Sequence, residues 1–194
     1  MTPVYVYTSY PEAELFVNGK SQGRQHKWTA AEAKAQEAAL GEKATMHRYR
    51  LMWEDVRYEP GELKVVAYDA NGNKAEEKVV RTAGKPHHLQ LVIDRSQLSA
   101  DGKDLAYITV SVVDKDGNLC PNDVREVNFK VSGAGTFRAV ANGDPTCLEL
   151  FHLPHMHAFA GQLTAIVQSS KQAGTITLQA TAKGLKPASI TIDN

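Results

Sequence analysis

The sequence has few cysteines, no excess of charge and no long apolar run, and each shortage excludes something. Cys120 and Cys147 are its two cysteines. They could pair in an exported protein, but free or buried thiols are the better reading, because spacing alone does not set their distance. Lys plus Arg and Asp plus Glu each total 22, a formal net charge of zero. That balance argues against nucleic acid and against an anionic membrane surface, both of which need a basic face. No apolar run approaches membrane-spanning length, so membrane insertion is not expected. No signal peptide opens the chain: Met1-Thr2-Pro3 runs straight into strand-like residues 4–8, a start that reads as a piece cut from a longer protein. No Ser-His-Asp or Cys-His arrangement stands out either. Cys147 and His152 are near in sequence, but neither has a glycine-rich elbow or an orienting group.

What remains is rich in strands and turns. Hydrophobic residues make up 42% of the chain, enough for packed cores. Residues 4–8 alternate and are β-branched or aromatic. Residues 13–17 form the next strand, and Asn18-Gly19 suits the positive-φ positions of a two-residue hairpin turn leading into a return strand over residues 20–26. Pro60-Gly61 feeds another strand, with Leu63, Val65 and Ala67 on one side and Lys64, Val66 and Tyr68 on the other. Asn71-Gly72 turns this into residues 74–81. Between these strands the composition changes. Residues 30–40 are rich in Ala, Glu, Lys and Gln, with Thr29 and Glu32 in capping-box spacing and Gly41 as a stop. One short surface helix is expected there, followed by a strand over residues 49–53 with Tyr49, Leu51 and Trp53 on one face.

Residues 82–86, Thr-Ala-Gly-Lys-Pro, form the best domain boundary, which predicts a first domain over 1–84 and a second over 86–194. The second half continues the same rhythm. Strands are expected at residues 89–93, 106–113, 127–131, 137–141, 162–168, 174–183 and 188–192, with turns at residues 99–103 and 114–118 and at Gly133-Ala134-Gly135. The fold class is all-β: two tandem immunoglobulin-like β-sandwiches, the first with one short helical insert.

Candidate chemistry is sparse. Glu12 and Glu14 share a strand face and Glu76 and Glu77 are adjacent, but retaining glycoside cleavage needs carboxyls about 5–5.5 Å apart across a sugar. Both pairs read better as surface charge, Glu12 and Glu14 at a solvent-exposed edge. His152, His155 and His157 are the one histidine cluster; Leu153-Pro154 breaks regular structure there, so solvated loop histidines are favoured over zinc ligands. Residues 114–118 and 69–73 open like calcium loops, yet the distal glutamate of such a loop is replaced by Arg125 beside Glu126; hairpin turns are the better reading. No metal or other cofactor is expected. Asn142-Gly143-Asp144-Pro145-Thr146 fixes a sharp loop in which Asp144 could accept backbone N–H groups, or touch a ligand or a neighbouring domain. Trp53 is expected in a core, while Trp28, just before the helix, is the best exposed ring for stacking on a sugar, although a packing role competes. Trp28 and Asp144 are thus the candidate carbohydrate-binding residues.

Several motifs, in order, resemble a known family. Residues 14–24, Arg50-Leu51-Met52-Trp53, residues 58–69 and residues 80–86 resemble the module that follows the catalytic barrel in bacterial β-galactosidases of glycoside hydrolase family 2. Residues 98–104, 112–118, 142–146, 158–161, and 166–169 followed by 173–176 resemble the next module. The resemblance implies a jelly-roll domain, an immunoglobulin-like domain and a (β/α)₈ barrel earlier in a parent enzyme, with both catalytic glutamates on the barrel. No barrel pattern occurs here, so neither glutamate is carried over, and the helical insert departs from the plainest form of the module. The implied role is non-catalytic: packing against the missing N-terminal and barrel domains of the same chain. A carbohydrate-binding module with a weak glycan site and a cell-surface, adhesin-like spacer are the alternatives. The family would place the parent in the periplasm or outside the cell.

Overall fold

The computed structural model describes all residues from Met1 to Asn194. The chain divides into two compact units, Met1–Thr82 and Ala83–Asn194. Gly84 falls in the second unit, where its N–H donates to the Asp114 carboxylate at 2.7 Å.

In the first unit, strands β1 (Val4–Val6), β2 (Glu12–Val17) and β3 (Lys20–His26) precede two helices, α1 (Ala30–Leu40) and α2 (Glu42–Met46). Strands β4 (Leu51–Trp53), β5 (Glu62–Tyr68) and β6 (Lys74–Arg81) follow. A four-stranded antiparallel sheet has the order β3-β2-β5-β6, and β1 pairs with β4 in a separate two-stranded layer. Alternation in β2 sends Ala13, Leu15 and Val17 inward, where they meet Leu51, Trp53, Val56 and Ala67. The β2–β3 turn uses Asn18 at φ 49° and Gly19 at φ 78°, as the Asn-Gly pair predicts. Asn18 also ties this turn to the Pro60-Gly61 turn. Its side-chain oxygen accepts from Glu62 N–H at 2.7 Å, and its amide nitrogen donates to Pro60 O at 3.2 Å.

The insert and the edges differ from expectation in three ways. First, α1 has its capping box, with Thr29 Oγ1 accepting from Glu32 N–H at 3.2 Å and Glu32 accepting from Thr29 N–H at 2.7 Å. Gly41 ends α1, but its φ of 57° and ψ of −137° turn the chain into a second short helix rather than a loop. Second, Tyr49 is 64% exposed and lies before β4 rather than in phase with Leu51 and Trp53. Helix α2 and the turn after it consume those residues, since Tyr49 N–H still bonds back to Met46 O. Third, β2 is a central strand, so Glu12 and Glu14 sit on a sheet face instead of an edge.

The second unit stacks two four-stranded antiparallel sheets, β10-β12-β8-β7 and β11-β9-β13-β14. Their strands are β7 (His88–Ile93), β8 (Leu105–Val113), β9 (Glu126–Gly133), β10 (Gly135–Ala141), β11 (His155–His157), β12 (Gln162–Ser169), β13 (Thr175–Ala182) and β14 (Ala188–Asp193). One face of each sheet supplies a continuous core that includes Ile108, Val110, Val127, Val140, Met156, Leu163, Ile176, Leu178 and Ile192. The strand β11 was not expected: Met156, fully buried between two outward histidines, makes a short edge strand out of what read as loop.

Candidate functional site

Of the carboxylates that could have formed a catalytic pair, Glu12, Glu14 and Glu77 are already engaged. On the outer face of β2, Glu12 pairs with Arg24 at 2.7 Å. Glu14 accepts from Ser21 Oγ at 2.5 Å and from Tyr68 Oη at 3.2 Å. The Arg24 guanidinium also lies over the Tyr68 ring, its carbon 3.7 Å from the centroid. Burial first, then the Glu14 bond, pushes the Tyr68 phenol above its ordinary value. On β6, Glu77 pairs with Lys74 at 2.7 Å. The first network ties β2 to β3 and β5, whereas the Lys74–Glu77 pair stays within β6.

The two calcium-like loops are turns locked by their first aspartate. The buried Asp114 carboxylate accepts N–H groups from Gly84, Asp116 and Asn118 at 2.7–2.9 Å, and the Asn118 side-chain amide at 3.0 Å. The Gly84 bond and then the Asn118 amide hold its pKa far below the usual carboxylate range. Asp69 plays the same part for Asn71 and Asn73, and the Asn73 N–H foremost lowers its pKa. Oxygens saturated with N–H donors have little left to offer a cation that wants six to eight oxygen ligands. The histidines are separated in the same manner. His155 faces Glu126 at 3.6 Å, and His157 pairs with Glu149 at 3.1 Å.

Trp28 and Asp144 lie in different units. The half-buried Trp28 ring stacks on His47, with centroids 4.0 Å apart and planes 14° from parallel. The backbone N–H of Trp28 donates to His47 O at 3.0 Å, which closes the chain around the helical insert. Burial pushes the His47 imidazole below its ordinary value, so the ring under Trp28 is neutral at pH 7. Asp144 accepts from both the N–H and the Oγ1 of Thr146, at 2.8 and 2.7 Å.

Asp144 opens the most distinctive loop of the second unit, residues 142–154. Asn142 Oδ1 accepts from Asp144 N–H at 3.0 Å, and Asn142 Nδ2 donates to His157 O at 3.0 Å. Glu149 accepts from His157 N–H and lies within bonding distance of its ring Nδ1, both at 3.1 Å. Burial raises the Glu149 pKa, but these bonds outweigh it and hold the carboxyl below its ordinary value. Val140 N–H reaches Phe151 O at 2.8 Å. So pinned to β10 and β11, the loop projects Leu148, Leu150 and Phe151, which are 94%, 57% and 55% exposed. Sequence reasoning weighed Phe151 only as one of several aromatic rings for sugar stacking and passed over Leu148 and Leu150. Their signal was a run of large apolar residues between two turn motifs, where a solvated loop would carry polar ones.

The strand order and the packed sheets define a class: tandem immunoglobulin-like β-sandwich modules. Comparison with known proteins agrees. Residues 89–191 match the model of glycoside hydrolase family 2 C-terminal domain 5, and residues 1–76 match that of a domain of unknown function, DUF4982. The chain belongs to glycoside hydrolase family 2. It is 39% identical to the β-galactosidase BoGH2A of Bacteroides ovatus over 96% of its own length and 20% of that enzyme's. It is 31% identical to a β-glucuronidase of Formosa agariphila over 74% of its length and 15% of that protein's. A crystal structure of a family 2 glycosyl hydrolase from Bacteroides cellulosilyticus superposes with a TM-score of 0.82 and 33% identity, covering 98% of this chain and 24% of that one. The chain thus spans about a fifth of the length of such relatives.

Proposed function

We propose that this chain is the non-catalytic C-terminal region of a longer family 2 glycoside hydrolase of the β-galactosidase or β-glucuronidase kind. In this reading residues 1–84 follow the catalytic barrel, residues 86–194 form the C-terminal module, and the role is to pack against the rest of the enzyme in carbohydrate degradation. The observation that carries this is the loop of residues 142–154. Its hydrogen bonds fix it against the sheet while Leu148, Leu150 and Phe151 stand in solvent. Burying Leu148 against a partner is worth about 1.5–3 kcal/mol and the half-exposed Leu150 and Phe151 about half as much each, which a docked neighbour would recover. The test is binding of a hydrophobic fluorescent dye to the isolated chain. Dye binding that falls sharply in the Leu148→Ser, Phe151→Ser double variant, with folding intact, supports the docking surface; unchanged binding refutes it. By family resemblance the parent works in the periplasm or outside the cell, which fractionation of the source organism tests. A weak glycan site at Trp28, in the first unit, is the second reading, favoured by its half-exposed indole.

A further inference from the structure

Strand β1 has an unfilled side. Its register against β4 pairs Val4 with Trp53, Tyr5 with Met52 and Val6 with Leu51. Met52 N–H donates away from β1, to Gln25 Oε1 at 3.3 Å. Tyr5 and Met52 therefore form a non-hydrogen-bonded pair, and the N–H and C=O of Tyr5 point out along the other edge of β1. Neither Tyr5 nor Tyr7 has a backbone partner on that side. An edge of this kind is a template for a further strand, and natural proteins usually blunt it with charge or cover it.

The floor beside that edge is apolar at one end only: the inner face of β6 carries Val80, then Lys78 and Glu76. Bonds from Met52 N–H to Gln25 and from Trp53 Nε1–H to Gly23 O place β4 over β3. Strand β1, on the far side of β4, therefore lies toward β2 and β5, which leaves the inner side of β6 without a covering strand. Val17, Leu63 and Val80 stand in line across β2, β5 and β6 on the inner face. Val17 is buried and Leu63 half-buried, whereas Val80 is 59% exposed.

The opposite face of the β1–β4 layer carries a cation without a counter-charge. Arg50 donates to Tyr7 Oη at 2.7 Å and, through its other two nitrogens, to the sulfurs of Met52 and Met46 at 3.2 and 2.9 Å. Its guanidinium sits 4.3 Å from the Tyr5 ring centroid. Thioethers and phenols are weak or neutral acceptors, and no carboxylate lies within ion-pair distance of Arg50. Pairing β1 with its own copy would bring two such guanidinium groups together across the new seam, which disfavours a second copy as the occupant.

We propose that the open edge of β1 accepts an extended segment that alternates acidic and aliphatic residues, contributed by the rest of the longer chain. Its backbone bonds Tyr5, its aliphatic side chains cover Val80 and Leu63, and a carboxylate on its outer face meets Arg50 beside Tyr5 and Tyr7. The source of the segment rests on the packing role proposed above; the edge and its preference for acid do not.

A fused strand tests this without depending on weak affinity. A segment of about five residues alternating valine and glutamate is joined ahead of Met1 through a flexible glycine-serine linker of about eight residues, which raises its effective concentration to the millimolar range. Amide hydrogen exchange then reads the edge. The expected result is that Tyr5 N–H exchange slows by about tenfold or more relative to the unfused chain. A fusion with lysine in place of glutamate protects less, and Arg50→Gln removes the difference between the two. Exchange in β8 reports that the fold is intact. No protection of Tyr5 in the glutamate fusion overturns the site, and equal protection by the lysine fusion overturns the acidic preference. Dye binding at the Leu148 loop is read in the same samples, so failure of the packing role and failure of the edge are distinguishable.

Discussion

Replacing Gly161 by alanine should damage the second unit far more than a single methyl group ordinarily does. Ala160 and Gly161 form a two-residue turn at φ 50° and 74°, closed by mutual hydrogen bonds between Phe159 and Gln162 at 3.0 Å. Gly161 N–H donates to Asp123 O at 3.1 Å, and its C=O accepts from Val112 N–H at 2.8 Å, so the turn is wedged into the long loop after β8. A Cβ on Gly161 would lie 2.3 Å from Cys120 O, which is backbone and has nowhere to go. The positive φ costs an L-residue about 1–2 kcal/mol, and forcing the loop aside adds about 1–3 kcal/mol. A loss of about 2–5 kcal/mol is a large share of the roughly 5–15 kcal/mol that holds a domain folded. At about 4 °C per kcal/mol for a unit this size, the calorimetric transition of the second unit should fall by roughly 10–20 °C. Ala160→Gly is the control: it relieves a strained φ without a clash, and stability should stay level or rise by up to about 1 kcal/mol. A Gly161→Ala protein within about 1 kcal/mol of the parent in urea unfolding would refute the reasoning.

Other outcomes follow from the same contacts. The depressed carboxyls of Asp114, Asp101 and Asp104 bind protons less readily folded than unfolded, chiefly through backbone N–H donors, so they add stability above their ordinary value of 3.8. That contribution should be fully present at neutral pH and drain away as pH falls below about 4 toward their folded values; a melting temperature flat down to pH 2 would contradict it. Calcium should leave the melting temperature unchanged, because Asp114 and Asp69 spend their oxygens on N–H donors; a concentration-dependent rise would show that the loops open for the ion. If Trp28 carries a glycan site, calorimetric binding of a galacto-oligosaccharide disappears in Trp28→Ala; flat isotherms for the parent chain end that reading.

Much of the fold was legible because its signals are local. Alternation in β2 and β8 set their buried faces, and Asn18-Gly19 and Thr29 with Glu32 act through neighbours one to three residues away. What escaped notice depends on contacts between residues far apart. The helix after Gly41 and the displaced Tyr49 follow from how the insert closes against Trp28. β11 exists because β9 offers an edge and the core takes Met156. The pinned loop depends on Asn142 meeting His157 and Glu149 meeting the same residue. Trp53 was expected in the core from its phase with Leu51 and Tyr49, and there it lies, donating to Gly23 O, although Tyr49 falls outside the strand.

The most direct test of the account is the simplest assay: incubation of the purified 194-residue chain with nitrophenyl β-galactoside and nitrophenyl β-glucuronide. The account predicts release of nitrophenol no faster than the buffer blank, since Glu12 and Glu14 are bound to Arg24, Ser21 and Tyr68 and serve the sheet. Turnover that survives repurification and vanishes in Glu12→Gln or Glu14→Gln would contradict it.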